Sequence, residues 1–539
     1  MAFLRIEKKN SGSYIRIVKT VRDGSKVSHK TLYSLGKVED YTPSMLSRMG
    51  DKLKEAGGDD LREIVSVKGA PIEELGRFNY GFYLIYSHIL QRYGLEKVLT
   101  RIERRHKLGF SLVNSVLLML IERLHDPVSK RGNYLNQGDY LGIEPVGLHQ
   151  LYRSLDRLAE NQDHIQRQIF QRDRNLFNQV LDVVFYDVTT FYFHSEDEQE
   201  DKLRQKGFGK DGKVGKTQVV FGLLIDRDKN PVGYQLYKGD QYEGHTFSDA
   251  IARLKERYAI EKVVVVADRG MLSKANVGIT SEAGYEFIMG ERLKSLPEPV
   301  KAELIDSKGY QDKWSSTSQD PVEVSYRIIK HEEKIIIGTY NEKRAKKDRK
   351  EREERLLKAE KLLKSPSRLK RKAQRFFLKQ TGEDKYEIDT ERIKAAEKYD
   401  GYLAISTNSK DLHPETVLDH YHHLYQIEQT FRTFKSYLET RPMFHWTDKR
   451  IEGHLCLCYI AYALLNHLRQ RAKKHKFTEI ELRKVMSKMQ VSLIEQLNEQ
   501  YLLRSKRDER AENLLKALKI TPLPNLTPVG KIEKYIPKL

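Results

Sequence analysis

Apolar and polar residues alternate near the start of the chain, which is the period of β-strands. The alternation covers 13–21 and 26–36, and Asp23-Gly24 between the two stretches is a hairpin signal. We therefore expect residues 1–66 to form a small basic β-meander followed by a linker.

The pattern turns helical over residues 67–178. Apolar residues recur at helical spacing in 80–90 and 110–121, and arginines and lysines punctuate these segments. Two interpretations stay open, a compact helical DNA-binding region or helices whose basic faces are simply solvated.

Short β-branched apolar runs then predict an α/β domain over 179–290. A helix at 245–257 precedes the last run, and this order of strands and helix is typical of a mixed sheet. The predicted strands are 181–187, 217–225, 231–237 and 262–268.

The sheet pattern is interrupted at 291–398, which we interpret as an inserted domain containing strands and helix. Within it, 322–340 predicts two strands, and 341–375 predicts a solvated helix because opposite charges recur at i, i+4. The core pattern returns over 399–472, and a basic C-terminal region follows at 473–539.

Composition narrows the class of protein. Its 539 residues leave room for several domains, and the formal net charge of +20 favours a polyanionic partner, nucleic acid above all. Cys456 and Cys458 lie on a predicted buried helix and cannot staple a chain of this size, which indicates a reducing compartment. No uncharged run reaches the roughly 20 residues that span a bilayer, so we expect an intracellular protein with no membrane partner.

Three acidic residues carry the candidate chemistry. Asp187 and Asp268 each end an apolar run, and Glu428 lies in a helical pattern far downstream. Carboxylates at two strand ends and on one helix can converge on a pair of divalent ions, which clamp the attacking and leaving oxygens of a phosphodiester displacement. In so basic a chain, the trio indicates a DNA-processing enzyme.

Two further side chains repeat at the spacing of Glu428. Tyr421, Glu428 and Lys435 are seven residues apart, so on a single α-helix each step drifts by only about 20° and all three line one face. A carboxylate for metal, flanked by a phenol and an ammonium for phosphate, is a coherent set. Chance spacing is the alternative.

These motifs resemble those of the DDE transposases of bacterial insertion sequences, which have a ribonuclease H-like catalytic core. The family's two aspartates match Asp187 and Asp268. One branch carries Tyr, two residues, Arg, three residues, Glu, six residues and Lys; the corresponding positions here are Tyr421, Leu424, Glu428 and Lys435. Leu424 departs from the signature because its side chain cannot bind phosphate, and Arg432, one helical turn beyond Glu428, is our candidate for that cation.

The resemblance implies a fold and a reaction. The ribonuclease H-like α/β core would comprise 179–290 and 399–472, with the inserted domain between them and the β-meander and helical DNA-binding region ahead. The three carboxylates would hold two Mg²⁺ ions, with Mn²⁺ as a substitute. A dimer would bind the terminal inverted repeats, cut the DNA to free a 3′-OH and join it to target DNA, in the bacterial cytoplasm at the nucleoid.

The same resemblance assigns DNA contacts. Tyr421, Lys435, Arg432 and Arg269 are the expected DNA-binding residues. In this branch an aromatic residue of the inserted region stacks on an unpaired base, and the candidates here are Trp314 and Tyr402, with core packing as the alternative.

Other functions and other motifs compete with this interpretation. A metal-dependent nuclease of the same fold, a non-catalytic DNA-binding regulator and a decayed copy of the element are the rivals of a transposase. The run 209–217 resembles a phosphate-binding loop, but its glycine spacing is too long and it leads into a strand, so we expect no nucleotide cofactor. His420, His422 and His423 lack the spacing of zinc ligands, and we interpret them as surface or DNA-facing residues.

Overall fold

The computed structural model describes most of the chain. The described residues are 2–9, 11–23, 26–56, 72–177, 181–209, 214–258, 260, 262–316, 321–364, 376–382, 385–496 and 499–536. They form two compact units. The first is Met1–Phe78 with Met489–Arg507 and Thr521–Lys538, and the second is Asn79–Lys488 with Asp508–Ile520.

Strands and helices alternate along the described chain. The strands are β1 Ala2–Lys9, β2 Gly12–Asp23, β3 Lys26–Lys37, β4 Glu73–Asn79, β5 Val183–Tyr192, β6 Gln205–Phe208, β7 Val214–Ile225, β8 Pro231–Lys238, β9 Val264–Ala267, β10 Glu286–Glu291, β11 Asp312–Ser315, β12 Glu323–His331, β13 Lys334–Tyr340, β14 Leu378–Gly382, β15 Lys385–Ile388, β16 Tyr402–Thr407, β17 Gln490–Gln496, β18 Glu499–Arg504 and β19 Leu526–Pro528. The helices are α1 Pro43–Ala56, α2 Gly81–Arg92, α3 Leu95–Arg105, α4 Leu112–His125, α5 Lys130–Asn136, α6 Leu148–Glu160, α7 Gln162–Phe177, α8 Glu243–Tyr258, α9 Lys274–Glu282, α10 Glu298–Ile305, α11 Glu342–Leu363, α12 Thr390–Glu397, α13 Pro414–His422, α14 Tyr425–Arg432, α15 Asp448–Arg471, α16 Glu479–Ser487 and α17 Glu509–Leu518.

The first unit contains two antiparallel sheets. Strands β1, β2 and β3 pair in sequence order, which confirms the predicted meander, although the turn at Gly24 and the linker residues 57–66 lie outside the described residues. The second sheet has the order β19-β18-β17-β4. The helical pattern assigned to 67–178 is therefore wrong at 73–79, where the chain forms β4. The reason is that its partner β17 comes from the far end of the chain, beyond the reach of any local pattern.

The second unit is built on a mixed sheet, as the alternation of strands and helices predicts. Its order is β11-β12-β13-β16-β10-β9-β5-β7-β6, with β8 also paired to β7. Strands β5, β9 and β10 run parallel at the centre, and antiparallel strands extend the sheet on both sides. Strands β11–β13 come from the interval predicted as an insertion, yet they hydrogen-bond into this sheet through β16. Whether 291–398 is a domain of its own stays a prediction.

Both faces of the sheet are covered by helices. On one face, Val184, Tyr186 and Val188 of β5 pack with Phe247 and Ile251 of α8. On the other face, α15 packs against α2, α4 and α6, so the region predicted as helical joins α15 in one helical layer.

Helix α15 approaches α6 very closely. A side chain at Gly453 would collide with the backbone carbonyl of Leu155, so only glycine permits this approach. Cys456 and Cys458 are buried free thiols on α15, as predicted. Among the described residues, no helix is both long and apolar enough to span a bilayer.

Candidate active site

Two aspartates stand side by side at the centre of the sheet. Parallel strands β5 and β9 pair Tyr186 with Ala267, and Asp187 and Asp268 are the next residues on each chain segment. Adjacent strands lie about 4.8 Å apart, and paired residues of parallel strands point to the same face. The sheet register therefore places both carboxylates together, Asp187 half-buried and Asp268 exposed.

The predicted strand end at Asp187 is wrong. Strand β5 continues to Tyr192 because β7 keeps pairing with it over that length, Tyr192 opposite Gln218. Asp187 accordingly lies in mid-strand and accepts a 2.7 Å hydrogen bond from the backbone N–H of Val188. Asp268 lies directly after β9, one residue beyond the end of a strand predicted to include it.

The segment that carries Glu428 covers the same face of the sheet. Asp187 and Phe191 are four residues apart on a strand and so share a face. The ring of Phe191 lies 6.4 Å from that of Phe434, which is just beyond α14, and α14 itself packs against β5. Glu428 is on the exposed side of α14, whose buried side includes Ile427 and Phe431.

The single long helix predicted for Tyr421, Glu428 and Lys435 is wrong. Tyr421 is on α13, Glu428 is on α14, and Lys435 is in a π-helical turn, Thr433–Tyr437. Between the helices the backbone tightens, because the N–H of Leu424 donates to the Tyr421 carbonyl (3.1 Å), an i→i+3 hydrogen bond. The π turn then widens the helix, so the seven-residue spacing does not produce one straight face.

Tyr421 nevertheless reaches the aspartate pair. Burial, together with the nearby Asp268 carboxylate, raises the pKa of Tyr421, while Arg344 and Arg269 act in the opposite direction. A side chain at Gly290 of β10 would collide with the Tyr421 hydroxyl. The structure thus brings Tyr421, Arg269 and Asp268 together, and the role of Tyr421 and Arg269 in DNA binding stays a prediction.

Comparison with known families decides the identity. The family model described as "Transposase DDE domain" matches residues 178–464, and that described as "IS1634 family transposase, N-terminal domain" matches residues 4–60. The chain belongs to the DDE transposase family. Both aspartates and Glu428 lie inside the first match, and β1–β3 lie almost wholly inside the second.

Two solved transposase structures show similarity at low identity. The synaptic complex of piggyBac transposase with hairpin DNA is 8% identical, with 76% of this chain and 78% of that chain covered and a TM-score of 0.37. The paired-end complex of Mos1 transposase with the left transposon end is 12% identical, with 47% and 68% covered and a TM-score of 0.15. None of the curated proteins matches the transposase significantly.

The remaining predicted DNA contacts lie at different places. Arg269 lines a cavity of about 550 Å³ together with further cations, Arg292, Lys294, Arg344, Arg352 and Arg355. Arg432 lines another cavity, of about 430 Å³, with Lys229, Arg469 and Arg483. Lys435 is half-buried in the π turn. Arg432 therefore does not share a cavity with Tyr421, and its role as the substitute for an arginine at Leu424 stays a prediction.

The structure separates the two candidates for base stacking. Trp314 lines a cavity of about 790 Å³ together with Tyr421 and His422. Tyr402 packs between Tyr310 and Tyr340, with ring centroids 5.5 and 5.0 Å away, and its hydroxyl donates to a backbone carbonyl. Packing is thus the observed role of Tyr402, whereas Trp314 is placed beside Tyr421.

One of the three histidines around Tyr421 is not a surface residue. His420 is 4% exposed, and Arg227 donates a 2.9 Å hydrogen bond to its Nε2. Burial, with Arg227 nearby, lowers its pKa to about 4. The apolar core under α13 accounts for the error, because the local pattern does not show which side of a short helix is buried. His422 and His423 are half-buried.

Sequence reasoning missed Asn276, which supports the loop after Asp268, and Glu243, which lies near that loop. Asn276 is buried, and its amide donates to the carbonyls of Gly244 (2.9 Å) and Met271 (2.7 Å), which fastens this loop to the start of α8. Glu243, the first residue of α8, lies 3.9 Å from where a side chain at Gly270 would begin. Glu243 precedes the predicted helix 245–257, so the pattern gave it no role.

The carboxylates were also compared with the requirements of a metal site. Carboxylate oxygens are the ligands that Mg²⁺ prefers, and the paired aspartates supply them on one face. Within the part of the chain that the structure describes, no group of three or more His, Cys, Asp or Glu side chains is placed to hold a metal ion. Glu428 therefore does not complete a three-carboxylate site with the aspartates in this conformation.

Proposed function

We propose that this transposase binds the terminal inverted repeats of its element, cleaves the DNA to free a 3′-OH and joins that end to target DNA. The observation that carries the proposal is the register of β5 and β9, which sets Asp187 beside Asp268 inside the matched DDE domain. In this proposal a ribonuclease H-like core supplies the site, and the protein acts as a homodimer on two DNA ends in the bacterial cytoplasm.

The carboxylates would act by holding divalent ions. Asp187 and Asp268 fit the oxygen-ligand preference of Mg²⁺ or Mn²⁺, and Glu428 would complete the set of ligands. Bound ions supply charge neutralisation at the attacking and leaving oxygens of the phosphodiester. The residues of the chain position the DNA, and no covalent nucleophile is needed because positioning and charge stabilisation account for most of the catalysis.

DNA contacts beside the carboxylates would orient the scissile strand. Tyr421 and Arg269 lie next to Asp268, and Arg292, Lys294 and Arg355 of the Arg269 cavity offer further phosphate contacts. Arg344 and Arg352 of the same cavity pair with Asp348 and Asp400. Trp314, in the cavity shared with Tyr421, would stack on an unpaired base. Arg432 and Lys435 would contact DNA at the outer side of the Glu428 segment, and the helices of 67–178 would bind the duplex.

Cleavage of a labelled duplex that carries the element's end tests the proposal. In Mg²⁺ or Mn²⁺ we expect Asp187→Asn, Asp268→Asn and Glu428→Gln to lose cutting by about 10²-fold or more while duplex binding is kept. Asp411→Asn, an exposed carboxylate on the loop after β16, is the matched control and should cut like wild type.

The outcomes separate the rival functions. Cutting followed by joining to a target plasmid supports a transposase, whereas cutting without joining identifies a nuclease of the same fold. Binding without cutting by the wild type would assign a regulator or a decayed copy. Unchanged cutting by all three variants would refute the carboxylate site.

A further inference from the structure

A separate cavity lies under the loop that joins the π turn to α15. It has a volume of about 360 Å³, within the roughly 300–1,000 Å³ of pockets that hold a small ligand. The loop 439–447 forms one wall. The other walls come from Arg123 of α4, Lys130 of α5, Tyr152 of α6 and His454 of α15.

This cavity is connected to the strand that carries Asp187. The N–H of Met443 donates to the carbonyl of Tyr192 (3.0 Å), and the N–H of His194 donates to the carbonyl of Met443 (2.9 Å). Tyr192 is five residues beyond Asp187, roughly 17 Å along an extended strand. The cavity therefore adjoins the far end of the strand that carries Asp187, within reach of a DNA strand bound at the carboxylates.

The charge in the cavity is mostly positive. Arg123, Lys130, Arg441 and Arg450 line it, and Glu439 is the carboxylate among its lining residues. The guanidinium of Arg123 donates to the carbonyls of Leu438 (3.1 Å) and Glu439 (3.3 Å), so its charge is met by neutral groups. An anion is the ligand that this wall would attract.

Several buried polar groups of the wall are incompletely satisfied. Lys130 is 3% exposed, and its ammonium donates to the neutral side chain of Asn133 at 3.2 Å. Glu122 accepts hydrogen bonds from the amides of Asn133 (3.4 Å) and Asn136 (3.2 Å). Arg123 Nε is buried without a hydrogen-bond partner. Leaving such groups unmet is costly, which indicates that a ligand satisfies them.

The mouth of the cavity exposes two aromatic rings. Phe444 is 70% exposed and stacks on His194, with ring centroids 5.1 Å apart. Trp446 is 48% exposed, and the buried guanidinium of Arg204 lies 4.4 Å from its ring. Arg204 also donates to the carbonyls of His445 and Asp197, and these hydrogen bonds hold its guanidinium in place against the Trp446 ring. Rigid exposed rings beside cations are typical platforms for unpaired bases.

We propose that this cavity binds one unpaired nucleotide of the DNA substrate, with its phosphate against Arg123, Lys130 and Arg441 and its base against Phe444 or Trp446. This inference rests on the proposed function, because it takes DNA as the substrate. The site differs from the cavity of Trp314 and Tyr421, with which it shares no lining residue.

The test uses the full-length transposase and a short single-stranded oligonucleotide that contains 2-aminopurine. Stacking quenches 2-aminopurine, and anisotropy of an end label gives the affinity. We expect Phe444→Ala and Trp446→Ala to reduce the quenching and to weaken binding about tenfold, since base–aromatic stacking supplies that much per base. Tyr33→Ala removes an exposed aromatic residue of β3 outside the cavity lining and is expected to behave like wild type.

Two further measurements distinguish a nucleotide within a DNA strand from a free nucleotide as the ligand. A neutral methylphosphonate linkage at the labelled nucleotide should weaken binding to the wild type if the cations hold its phosphate. Free thymidine monophosphate that competes as well as the oligonucleotide would overturn the proposal in favour of a small-molecule site. Unchanged quenching in both aromatic variants would also overturn the proposed nucleotide site. If the wild type still bound and cleaved duplex DNA, the proposed function would stand. A wild type that binds neither duplex nor single strand would refute both.

Discussion

Strand β5 serves two sites of opposite character. At Asp187 the sheet itself assembles the site, and its charged groups are carboxylates that face solvent at least in part. Just past Tyr192, loops and helix ends assemble the cavity under 439–447, and its charged groups include the buried Arg123 and Lys130. The acidic site is thus fixed by backbone register and the basic cavity by side-chain packing.

The two sites should therefore respond differently to substitution. At the acidic site, many backbone hydrogen bonds hold β5 and β9 in register. Replacing a single carboxylate there should therefore cost little stability. Buried cations carry a desolvation penalty, so small changes in packing or protonation alter both the stability and the binding of the cavity. Substitutions that separate stability from activity therefore test the comparison.

The largest effect should follow from Gly453→Ala, on helix α15, which also carries His454 of the basic cavity. The new methyl group would meet the backbone carbonyl of Leu155, which cannot rotate away, and we expect a loss of about 3 kcal/mol in the free energy of unfolding. Gly278→Ala is the matched control, because this helical glycine of α9 has open space and alanine there should stabilise by about 1 kcal/mol. Urea unfolding measures both; equal effects would show that the close approach of α15 and α6 is not needed.

The two sites also differ in what the sequence reveals. The apolar runs locate β5, β7, β8 and β9 within a few residues, and the aspartates follow from those strands. The sequence does not show that Tyr421, Glu428 and Lys435 lie on three successive elements. A tightened turn and a π turn leave the seven-residue spacing in the sequence unchanged, so the spacing still suggests one helix. The basic cavity combines residues of α4 to α6 with residues of the loop 439–447 and α15, far along the chain, so no local pattern predicts it.

The next largest effect should follow from Asn276→Ala beside the aspartates. Both carbonyls that accept from its amide would lose a partner, at a cost of about 2 kcal/mol, and the loop after Asp268 would loosen. Ser273→Ala removes only the N-cap of the same helix, at a cost of about 1 kcal/mol. Thermal unfolding and DNA cleavage measured on both variants should rank them in that order. Equal cleavage by the two would show that Asn276 does not position the loop.

A smaller effect is expected from Gly290→Ala, which tests the contact of Tyr421 with the carboxylate site. The added methyl group would displace the Tyr421 hydroxyl from its place near Asp268, and we expect cleavage to fall about tenfold, equivalent to roughly 1.4 kcal/mol. In the Tyr421→Phe background the same substitution should cost less, since the colliding oxygen is absent. A double-mutant cycle on the cleavage rate measures this coupling, and strict additivity would contradict the contact.

The smallest effect is a pH dependence of stability that belongs to Lys130. Burial, with Arg123 nearby, lowers the pKa of Lys130 to about 7, while Glu122 and Cys458 act in the opposite direction; His445 and His454 lie on the same wall. An unfolded lysine keeps its proton up to about pH 10.4, so between these values the unfolded state binds more protons and stability rises with pH. Above pH 7, Lys130 should make the free energy of unfolding rise by about 1 kcal/mol per pH unit. Below pH 7 it should add no pH dependence.

The Lys130→Met variant isolates that contribution. Urea unfolding of wild type and variant between pH 7 and pH 8 should give a stability difference that shrinks as the pH rises, because the wild type progressively loses the buried charge. Lys97→Met, at an exposed lysine of α3, should leave the wild-type slope unchanged. A nucleotide bound through its phosphate would favour the charged lysine and flatten the wild-type slope, so repeating the titration with the oligonucleotide links this smallest effect to the occupancy of the cavity. Parallel slopes for wild type and Lys130→Met would show that Lys130 stays charged in the folded protein.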